Sequence, residues 1–223
     1  QYNKTDGKFA WSMQFDGSED WVETSLDPSG ISSSDFSLTA WVKCSTEEDG
    51  GIISAGTYSV LSSGSGTGFI RMYLSGNKTI LHLKKDISTE PSTVSSTFDV
   101  CDDNWHFIVG TFDRNSLGII YVDGVLNASS SISGSDGAIG STKSFLIGKG
   151  TSGVLGANNS FSGQIDDVSV RLSLLSATQV KDAYRLRSTS YVWRVNVTDA
   201  SSAQNESTQR QFNVNDTLTP LIS

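Results

Sequence analysis

The stretch WHFIVGTFDRNSLGIIYVDGVLN, residues 105–127, decides the fold class because it has the pattern of paired strands. In its first half, Phe107, Val109 and Thr111 alternate with their neighbours at the period of two that a half-buried strand requires. A short turn follows, and a β-branched and aromatic run resumes at Ile119 before an Asp-Gly hairpin signal. Both sides of this hairpin can face a core, so a second layer must cover it.

Similar short strands are predicted on both sides of this hairpin. They lie within 9–24, around a turn at Asp16-Gly17, and at 35–44, 50–55, 69–74, 79–83, 145–148 and 161–172. Residues 86–96 are predicted to form a loop, and residues 128–141 a flexible Ser/Gly-rich stretch. A capping box of Ser176 and Gln179 predicts one short helix. About a dozen strands with one late helix indicate an all-β fold, an antiparallel two-sheet jelly-roll sandwich. Core packing is predicted for Trp11, Trp41, Trp105, Phe107 and Phe112.

Charge and hydropathy exclude several classes of partner. The formal net charge of -8 argues against a nucleic-acid binder, which needs basic surfaces to neutralise phosphate. It also argues against docking on anionic lipid. No apolar run approaches the roughly 20 residues of a membrane span. The chain starts at Gln1 rather than Met, which predicts a mature or trimmed product.

Cysteines and glycosylation signals indicate an extracellular or cell-surface location. Cys44 and Cys101 form either one disulfide or two separate buried thiols, and they lack zinc-site spacing. Seven Asn-x-Ser/Thr sequons occur, most of them in predicted turns, at Asn3, Asn77, Asn127, Asn158, Asn196, Asn205 and Asn215. This number exceeds what we expect by chance and favours a secreted glycoprotein with the disulfide.

Eight short motifs together resemble the laminin G-like, concanavalin A-like jelly-roll domain over about residues 8–187. They are residues 13–17, 20–23, 36–42, 105–113, 121–124, 146–148, 161–168 and 174–177. The resemblance implies two antiparallel sheets with a concave face that often binds sugars or protein partners. It is more specific for fold than for function, because this fold hosts lectins, adhesion modules, enzyme accessory domains and glycosidases.

The resemblance also implies a structural Ca²⁺ at the rim. Asp16, Asp20 and Asp166 could meet there, with the carbonyl of Gly17 contributing, since the first and last strands of such a jelly roll are neighbours. Carboxylate and carbonyl oxygens suit this ion, which takes six to eight ligands. The alternative is that these carboxylates are turn residues and residues that flank a strand.

Catalysis is not expected. Glycosidases need two carboxyl groups flanking the scissile bond. The glucanases of this fold carry them as Glu-x-Asp-x-x-Glu on one strand, and that run is absent here. The nearest segment, 164–168, lacks both glutamates. His106 is interpreted as a structural side chain rather than a base.

Binding requires less, because aromatic rings stack on sugars and polar side chains fix hydroxyl groups. The candidates are Tyr58, Arg71, Tyr73 and His82, together with Trp21, and the alternative for every aromatic among them is core packing. The first hypothesis is therefore a non-catalytic extracellular adhesion module that recognises glycans or cell-surface partners.

Residues 189–223 do not follow the pattern of the jelly-roll domain, which we assign to residues 1–188. Strands at 191–198 and 209–214 predict a C-terminal β-hairpin, similar to the last hairpin of immunoglobulin-like repeats. The hairpin could pack on its own chain, add strands to a neighbour's edge, or be the remnant of a further domain. Strand addition through 191–215 would make the chain a structural subunit of a surface filament or layer, which is the alternative hypothesis.

Overall fold

The computed structural model describes most of the chain in segments separated by short gaps. The described segments are residues 3–9, 11–45, 50–56, 68–86, 91–139, 141, 143–150 and 160–186, followed by the strand segments 191–193, 196–198, 204–206 and 210–212. Two large antiparallel sheets pack face to face, and a single α-helix lies late in the described chain. The predicted all-β jelly-roll sandwich is confirmed.

The chain crosses several times between the two sheets and contributes runs of consecutive strands to each. In order, the strands are β1 (Asn3–Asp6), β2 (Trp11–Asp16), β3 (Val22–Glu23), β4 (Phe36–Lys43), β5 (Gly51–Gly56), β6 (Phe69–Ser75), β7 (Lys78–Lys84), β8 (Ser92–Asp99), β9 (His106–Phe112), β10 (Leu117–Val122), β11 (Val125–Ser131), β12 (Leu146–Ile147) and β13 (Ser162–Arg171). Sheet A has the order β1-β2-β13-β4-β9-β10-β11, and sheet B the order β3-β12-β5-β6-β7-β8. The runs of consecutive strands are β9–β11 in sheet A and β5–β8 in sheet B. Strand β2, which contains the first strand predicted from the sequence, is the neighbour of β13, as expected for the first and last strands of a jelly roll.

The core lies between the sheets and consists of the alternate side chains of each strand that point toward the opposite sheet. Leu38 and Ile108 of sheet A meet Met72 and Leu81 of sheet B, and all four are buried. A Cβ at Gly110 would lie 2.6 Å from the Leu81 side chain, so glycine there lets the two sheets approach closely. The stretch 105–127 therefore supplies β9, β10 and the start of β11, and packs as the sequence predicts.

A disulfide joins Cys44 and Cys101, which confirms the predicted pairing over the alternative of two thiols. It ties the end of β4 to the segment that leads into β9, across a sequence separation of 57 residues. Both cysteines are buried. The bridge therefore restrains the two central strands of sheet A.

One helix, α1 (Ala177–Leu186), covers the face of sheet A that points away from the core. Its capping box is formed as predicted, since Gln179 N donates to Ser176 Oγ at 3.2 Å and Ser176 N donates to Gln179 Oε1 at 2.9 Å. Tyr184 on the helix stacks on the buried Trp41 at 5.7 Å between ring centroids. The helix thus gives sheet A a second, smaller apolar cluster.

Three sequence predictions about local structure are wrong. Residues 92–99, which begin within the predicted loop 86–96, form β8, and residues 125–131, which enter the predicted flexible stretch, form β11. Both are edge strands rich in Ser and Thr, so they lack the apolar run on which the prediction depended. Trp11 was expected in the core but is 59% exposed at the start of β2. The other four predicted core aromatics pack in the two apolar clusters.

Beyond α1, the described strands pair only with one another. They are β14 (Tyr191–Trp193), β15 (Asn196–Thr198), β16 (Gln204–Glu206) and β17 (Arg210–Phe212). The antiparallel pairs β14–β17 and β15–β16 form two small sheets that are separate from sheets A and B. No helix in the described part of the chain has the length and apolar character needed to cross a bilayer.

Candidate functional site

The outer face of sheet B, the face turned away from sheet A, gathers polar and aromatic side chains. On β6, Ile70 and Met72 belong to the core between the sheets. Because successive side chains of a strand point to opposite faces, Phe69, Arg71 and Tyr73 point to the outer face. The alternation along β6 thus separates the core residues Ile70 and Met72 from the side chains on the outer face.

A two-residue turn fixes the register that brings His82 into this group. Gly76 and Asn77 both have positive φ, 54° and 64°, as a type I′ hairpin requires. The register then places His82 of β7 directly opposite Arg71 of β6. Side chains directly opposite each other lie about 4.5–5.5 Å apart at Cβ.

The same register extends the row across the sheet. Ser54 of β5 lies beside Arg71, and Thr93 of β8 lies beside His82. Exposure rises along this row, because Arg71 is only 1% exposed, His82 is half-buried and Thr93 is exposed. The accessible part of the face therefore lies over β7 and β8, with the β6 side chains beneath its edge.

Ring contacts fix the orientation of these side chains. The Arg71 guanidinium lies 4.6 Å from the centroid of the Phe69 ring, within the range of a cation–π contact. The His82 ring meets Phe69 edge-on at 5.0 Å between centroids and lies 6.1 Å from Tyr73. These contacts preorganise the side chains of Phe69, Arg71 and His82, so a ligand would not have to order them.

His82 is neutral at physiological pH. Burial, with the positive charges of Arg71 and Lys84, lowers the pKa of His82 from 6.5 to about 4. Its Nδ1 is buried and has no hydrogen-bond partner among the described residues. A neutral imidazole can accept a hydrogen bond at one nitrogen and donate at the other, which suits a hydroxyl-bearing ligand.

An exposed tryptophan lies at the β3 edge of the same sheet. Trp21 is 41% exposed, and Lys149 Nζ lies 3.5 Å from its ring centroid. Ser54 Oγ donates to the Lys149 carbonyl oxygen at 2.6 Å, which connects this edge to the central row. The sequence analysis did not choose Lys149, Ser54 or Phe69, although the turn residues 76 and 77 fix the hairpin register that places Phe69 beside the chosen residues.

The structure brings together three of the five candidate ligand-binding residues, and a further candidate, Trp21, lies at the edge of the same sheet. Arg71, Tyr73 and His82 share the outer face of sheet B. Tyr58 lies outside the described residues. None of these three belongs to the core cluster between the sheets, although Arg71 and Tyr73 are buried, and ligand binding by them stays a prediction.

The four predicted calcium ligands do not form one site. Asp16 pairs with residue 162 of β13, whereas Asp166 lies four residues further along that strand, about 13 Å away at the usual rise. Two oxygens bound to one Ca²⁺ lie within about 5 Å of each other. Asp166 Oδ2 instead accepts hydrogen bonds from the backbone N–H groups of Lys8 and Phe9, at 3.0 and 3.4 Å.

The remaining rim residues have local roles. Asp16 Oδ1 accepts from Ser18 N at 2.8 Å, which forms the turn after β2, and Asp20 is buried. Among the described residues, no three Asp, Glu, His or Cys side chains cluster as a metal site would require. Calcium binding by Asp16, Gly17 and Asp20 alone stays a prediction.

The described sequons lie mostly in strands rather than in turns. Asn3 and Asn127 lie in β1 and β11, Asn196 and Asn205 in β15 and β16, and only Asn77 lies in a turn. Asn127 Oδ1 accepts hydrogen bonds from β8, from Ser96 Oγ at 2.8 Å and Thr97 N at 2.9 Å. Asn158 and Asn215 lie outside the described residues. Glycan attachment stays a prediction.

His106 has a structural role, as interpreted from the sequence. Its Nδ1 lies 2.7 Å from Asp123 Oδ2 and its Nε2 lies 3.0 Å from Asp102 Oδ1. The hydrogen bond with Asp123 raises the pKa of His106, and the bond with Asp102 adds to this effect. Asp123 also accepts from the Phe107 N–H at 2.9 Å, so the cluster fixes the β10–β11 turn against β9.

Comparison with known protein families assigns the chain to a superfamily. A family model described as the concanavalin A-like lectin/glucanases superfamily matches residues 16–181. The chain belongs to this superfamily. The resemblance noted in the sequence is thereby confirmed from the end of β2 to the first half of α1. No curated protein matches the sequence.

Solved structures that resemble this concanavalin A-like chain are distant in sequence. The binding domain of Paraclostridial Mosquitocidal Protein 1 has a TM-score of 0.62 at 12% identity, covering 92% of this chain and 56% of that domain. Domain 4 of AbnA, an extracellular GH43 arabinanase from Geobacillus stearothermophilus solved with arabinotriose, has a TM-score of 0.60 at 18% identity, covering 82% and 80%. The heptameric SAP-like pentraxin from Limulus polyphemus has a TM-score of 0.56 at 16% identity, covering 78% and 81%.

These likenesses establish the fold alone. The chain spans about half the length of the toxin binding domain that it matches. Two of the three similar structures are described as a binding domain or as a domain bound to a saccharide, and the third as an oligomeric pentraxin. The fold of this chain is therefore one that binding domains use.

Proposed function

We propose that this chain is a non-catalytic extracellular module that binds glycans, free or on cell-surface partners, through the outer face of sheet B. The observation that carries the proposal is the placement of Arg71, Tyr73 and His82 on one face, next to the exposed Thr93. A fixed group of aromatic and hydrogen-bonding side chains beside an accessible surface is the common design of small-ligand sites.

The chemistry of the face suits a saccharide. Sugars present apolar ring faces and many hydroxyl groups, so they need both apolar side chains and polar partners. Ile80 and His82 are half-buried on β7, and Thr93 and Ser95 are exposed on β8 beside them. The similar arabinanase domain, solved with arabinotriose, supports a saccharide rather than another ligand.

We also propose, from the composition of the same face, that the module does not catalyse hydrolysis. Hydrolysis of a glycosidic bond needs two carboxyl groups about 5–10 Å apart. The outward-facing described side chains around the central row of β5, β6 and β7 carry no carboxyl group; they are Ser54, Phe69, Arg71, Tyr73, Ile80, His82 and Lys84. Where the row continues to β3 it reaches Glu23, a single carboxyl group rather than the required pair. This composition supports binding without turnover.

The proposed location is outside the cell. The Cys44–Cys101 disulfide is typical of proteins that fold in an oxidising compartment. The net charge of -8 and the seven sequons agree with a soluble surface exposed to that environment.

A glycan array tests the proposed function. We expect the full chain to bind at least one saccharide, and Thr93→Trp to abolish that binding because the large ring would cover the accessible part of the face. Ser130→Trp is the matched control, since Ser130 is also an exposed hydroxyl residue, on β11 of sheet A. A broad array without any bound saccharide, or equal loss in both variants, would contradict the proposal.

The alternative, a structural subunit of a surface assembly, rests on the C-terminal strands. Strands β14 to β17 pair with one another and extend neither large sheet. If they mediate assembly, the full chain forms oligomers or filaments at high concentration and a chain ending at Arg187 does not. Negative-stain microscopy of both chains distinguishes the outcomes, because single particles in both would exclude assembly through the tail.

A further inference from the structure

We propose that Asn127 carries an N-linked glycan, and that this glycan covers the side of the sandwich where the edge strands β8 and β11 meet. The proposal goes beyond the proposed function, because it concerns a saccharide that the chain carries covalently rather than one that it binds. It rests on the strand register and the hydrogen bonds around Asn127.

A β-bulge removes Asn127 from the regular ladder of sheet A. Ala128 pairs with Ile120 of β10, and Leu126 pairs with Tyr121, so Asn127 is the extra residue between two paired positions. The extra residue of a bulge is unpaired, and the bulge changes the direction of its side chain. The sequon can therefore lie within a strand and still present its asparagine at the side of the sandwich.

Hydrogen bonds from β8 fix the Asn127 amide through its oxygen. Oδ1 accepts from Ser96 Oγ at 2.8 Å and from Thr97 N at 2.9 Å, and Nδ2 donates to none of the described residues. Because a backbone N–H can only donate, the Asn127 atom that faces Thr97 must be the oxygen. A glycan attaches through Nδ2, so both contacts with β8 persist after attachment. Asn127 can therefore join the edges of the two sheets and carry a glycan at the same time.

The hydroxyl residue of this sequon is accessible as well. A sequon is recognised through its asparagine and the Ser or Thr two positions later. Asn127 is partly exposed and Ser129 is exposed. In the other sequon whose burial is described, Thr79 is 0% exposed, and the Asn77 Oδ1 is buried without a hydrogen-bond partner among the described residues. Of these two positions, Asn127 is the one that suits a bulky surface modification.

Exposed apolar side chains surround this position. Val125 is 68% exposed and Leu126 is 55% exposed, both within two residues of Asn127 on β11. Phe98 on β8 is 40% exposed, and its backbone N–H donates to the same Ser96 Oγ that bonds to Asn127, at 2.9 Å. Apolar side chains beside two open sheet edges favour association between molecules. A hydrophilic glycan at Asn127 would shield them from that contact.

The attachment is a transfer from a lipid-linked donor. Nδ2 of Asn127 attacks the anomeric carbon of an oligosaccharide that is joined through phosphate to a lipid carrier. A bond forms between this carbon and Nδ2, and the bond between the carbon and the phosphate oxygen breaks. Its electron pair leaves with the lipid phosphate, which also takes the proton that the amide nitrogen loses.

The experiment maps glycans on the full chain after secretion from eukaryotic cells that attach N-linked glycans. Enzymatic release of the glycans in heavy-oxygen water converts each modified asparagine into a labelled aspartate, which peptide mass spectrometry identifies. We expect the label at Asn127 in most of the secreted molecules. An unlabelled Asn127 would overturn the proposal and leave the proposed function intact, because binding of a glycan at sheet B does not depend on it.

Two neighbouring substitutions test the covering role. Ser129→Ala destroys the sequon without touching the Asn127 side chain, and Ser130→Ala, at the next exposed serine of β11, preserves it. We expect Ser129→Ala to lose the mass of one glycan, and to bind at least about twofold more of a fluorescent dye that reports apolar surface. Ser130→Ala should match the parent chain in both measurements.

Equal glycan mass in the two variants would overturn the attachment at Asn127. Loss of the glycan with unchanged dye binding would overturn the covering role. Ser129→Thr restores the sequon and should restore both measurements to the values of the parent chain. Because the glycans are first mapped on the unmodified chain, a folding defect in a variant does not remove the test.

Discussion

Acidification should weaken the fold through His82, and the size of the effect follows from its surroundings. Burial beside Arg71 and Lys84 lowers its pKa to about 4, whereas the ring in the unfolded chain titrates near 6.5. Between these values the unfolded state binds more protons than the folded state, so stability falls as the pH falls. The loss amounts to about 2 kcal/mol between pH 7 and pH 5, and to about 3 kcal/mol by pH 4.

Urea denaturation at pH 7 and pH 5 measures this loss, with His82→Gln as the matched variant because glutamine does not titrate. We expect the unmodified chain to lose about 2 kcal/mol more than the variant over this interval. The difference between the two chains removes the contribution of the carboxylates, which titrate in both. Equal losses would refute the reasoning, because they would mean that His82 is protonated in the folded state as easily as in the unfolded chain.

Three further predictions concern elements that hold the sandwich together. Replacing Cys44 and Cys101 by Ala should lower the free energy of unfolding by about 4 kcal/mol, from the entropy of a closed loop with a separation of 57 residues, as measured by urea titration against the oxidised chain. The pH dependence from His106 has the opposite sign to that from His82, because its pKa is raised in the folded chain. Its contribution to the free energy of unfolding is present below about pH 6.5 and is lost as the pH rises through the folded pKa. In H106Q, the free energy of unfolding should therefore fall less than in the parent chain as the pH is raised. Gly148→Ala should destabilise by about 2–4 kcal/mol, because φ is +81° and the new Cβ would lie 2.2 Å from the Phe15 ring; a melting temperature equal to that of the parent would show that this loop adjusts freely.

Much of the sandwich is predictable from local pattern. Alternation over β4 and β9 identifies central strands because apolar residues recur at every second position, at residues 36, 38, 40 and 42 of β4 and at residues 107 and 109 of β9. The capping box at Ser176 predicts the start of α1, since the reciprocal hydrogen bonds need only residues three apart. The family resemblance adds the adjacency of β2 and β13, which no local pattern contains.

Edge strands and long-range positions escape this kind of prediction. Strand β8 has one buried apolar residue, Val94, among Ser and Thr, so its pairing with β7 determines its structure rather than its own composition. Asp166 directly precedes the point where the register of β13 with β4 shifts, and its carboxylate accepts hydrogen bonds from the backbone of Lys8 and Phe9. A hydrogen-bond partner more than 150 residues away in sequence cannot be predicted from the spacing of residues in a local motif.

The sequence predicts which residues share the candidate site but not how deeply each is buried. Arg71, Tyr73 and His82 follow from the parity of two strands joined by a two-residue turn. That parity does not reveal that Arg71 is almost fully buried while Thr93 is exposed, because both lie on the same face. Burial depends on what covers each strand, and the strand pattern alone does not specify that.

The most direct test of the account is an NMR titration of the two histidine side chains with a saccharide selected on the array. The chain contains only His82 and His106, so their imidazole signals can be assigned with one substitution. If the outer face of sheet B binds the glycan, the signals of His82 shift in proportion to occupancy, and those of His106, within sheet A, do not. Saturable binding that leaves His82 unchanged would contradict the account, because the ligand would then occupy another surface of the sandwich.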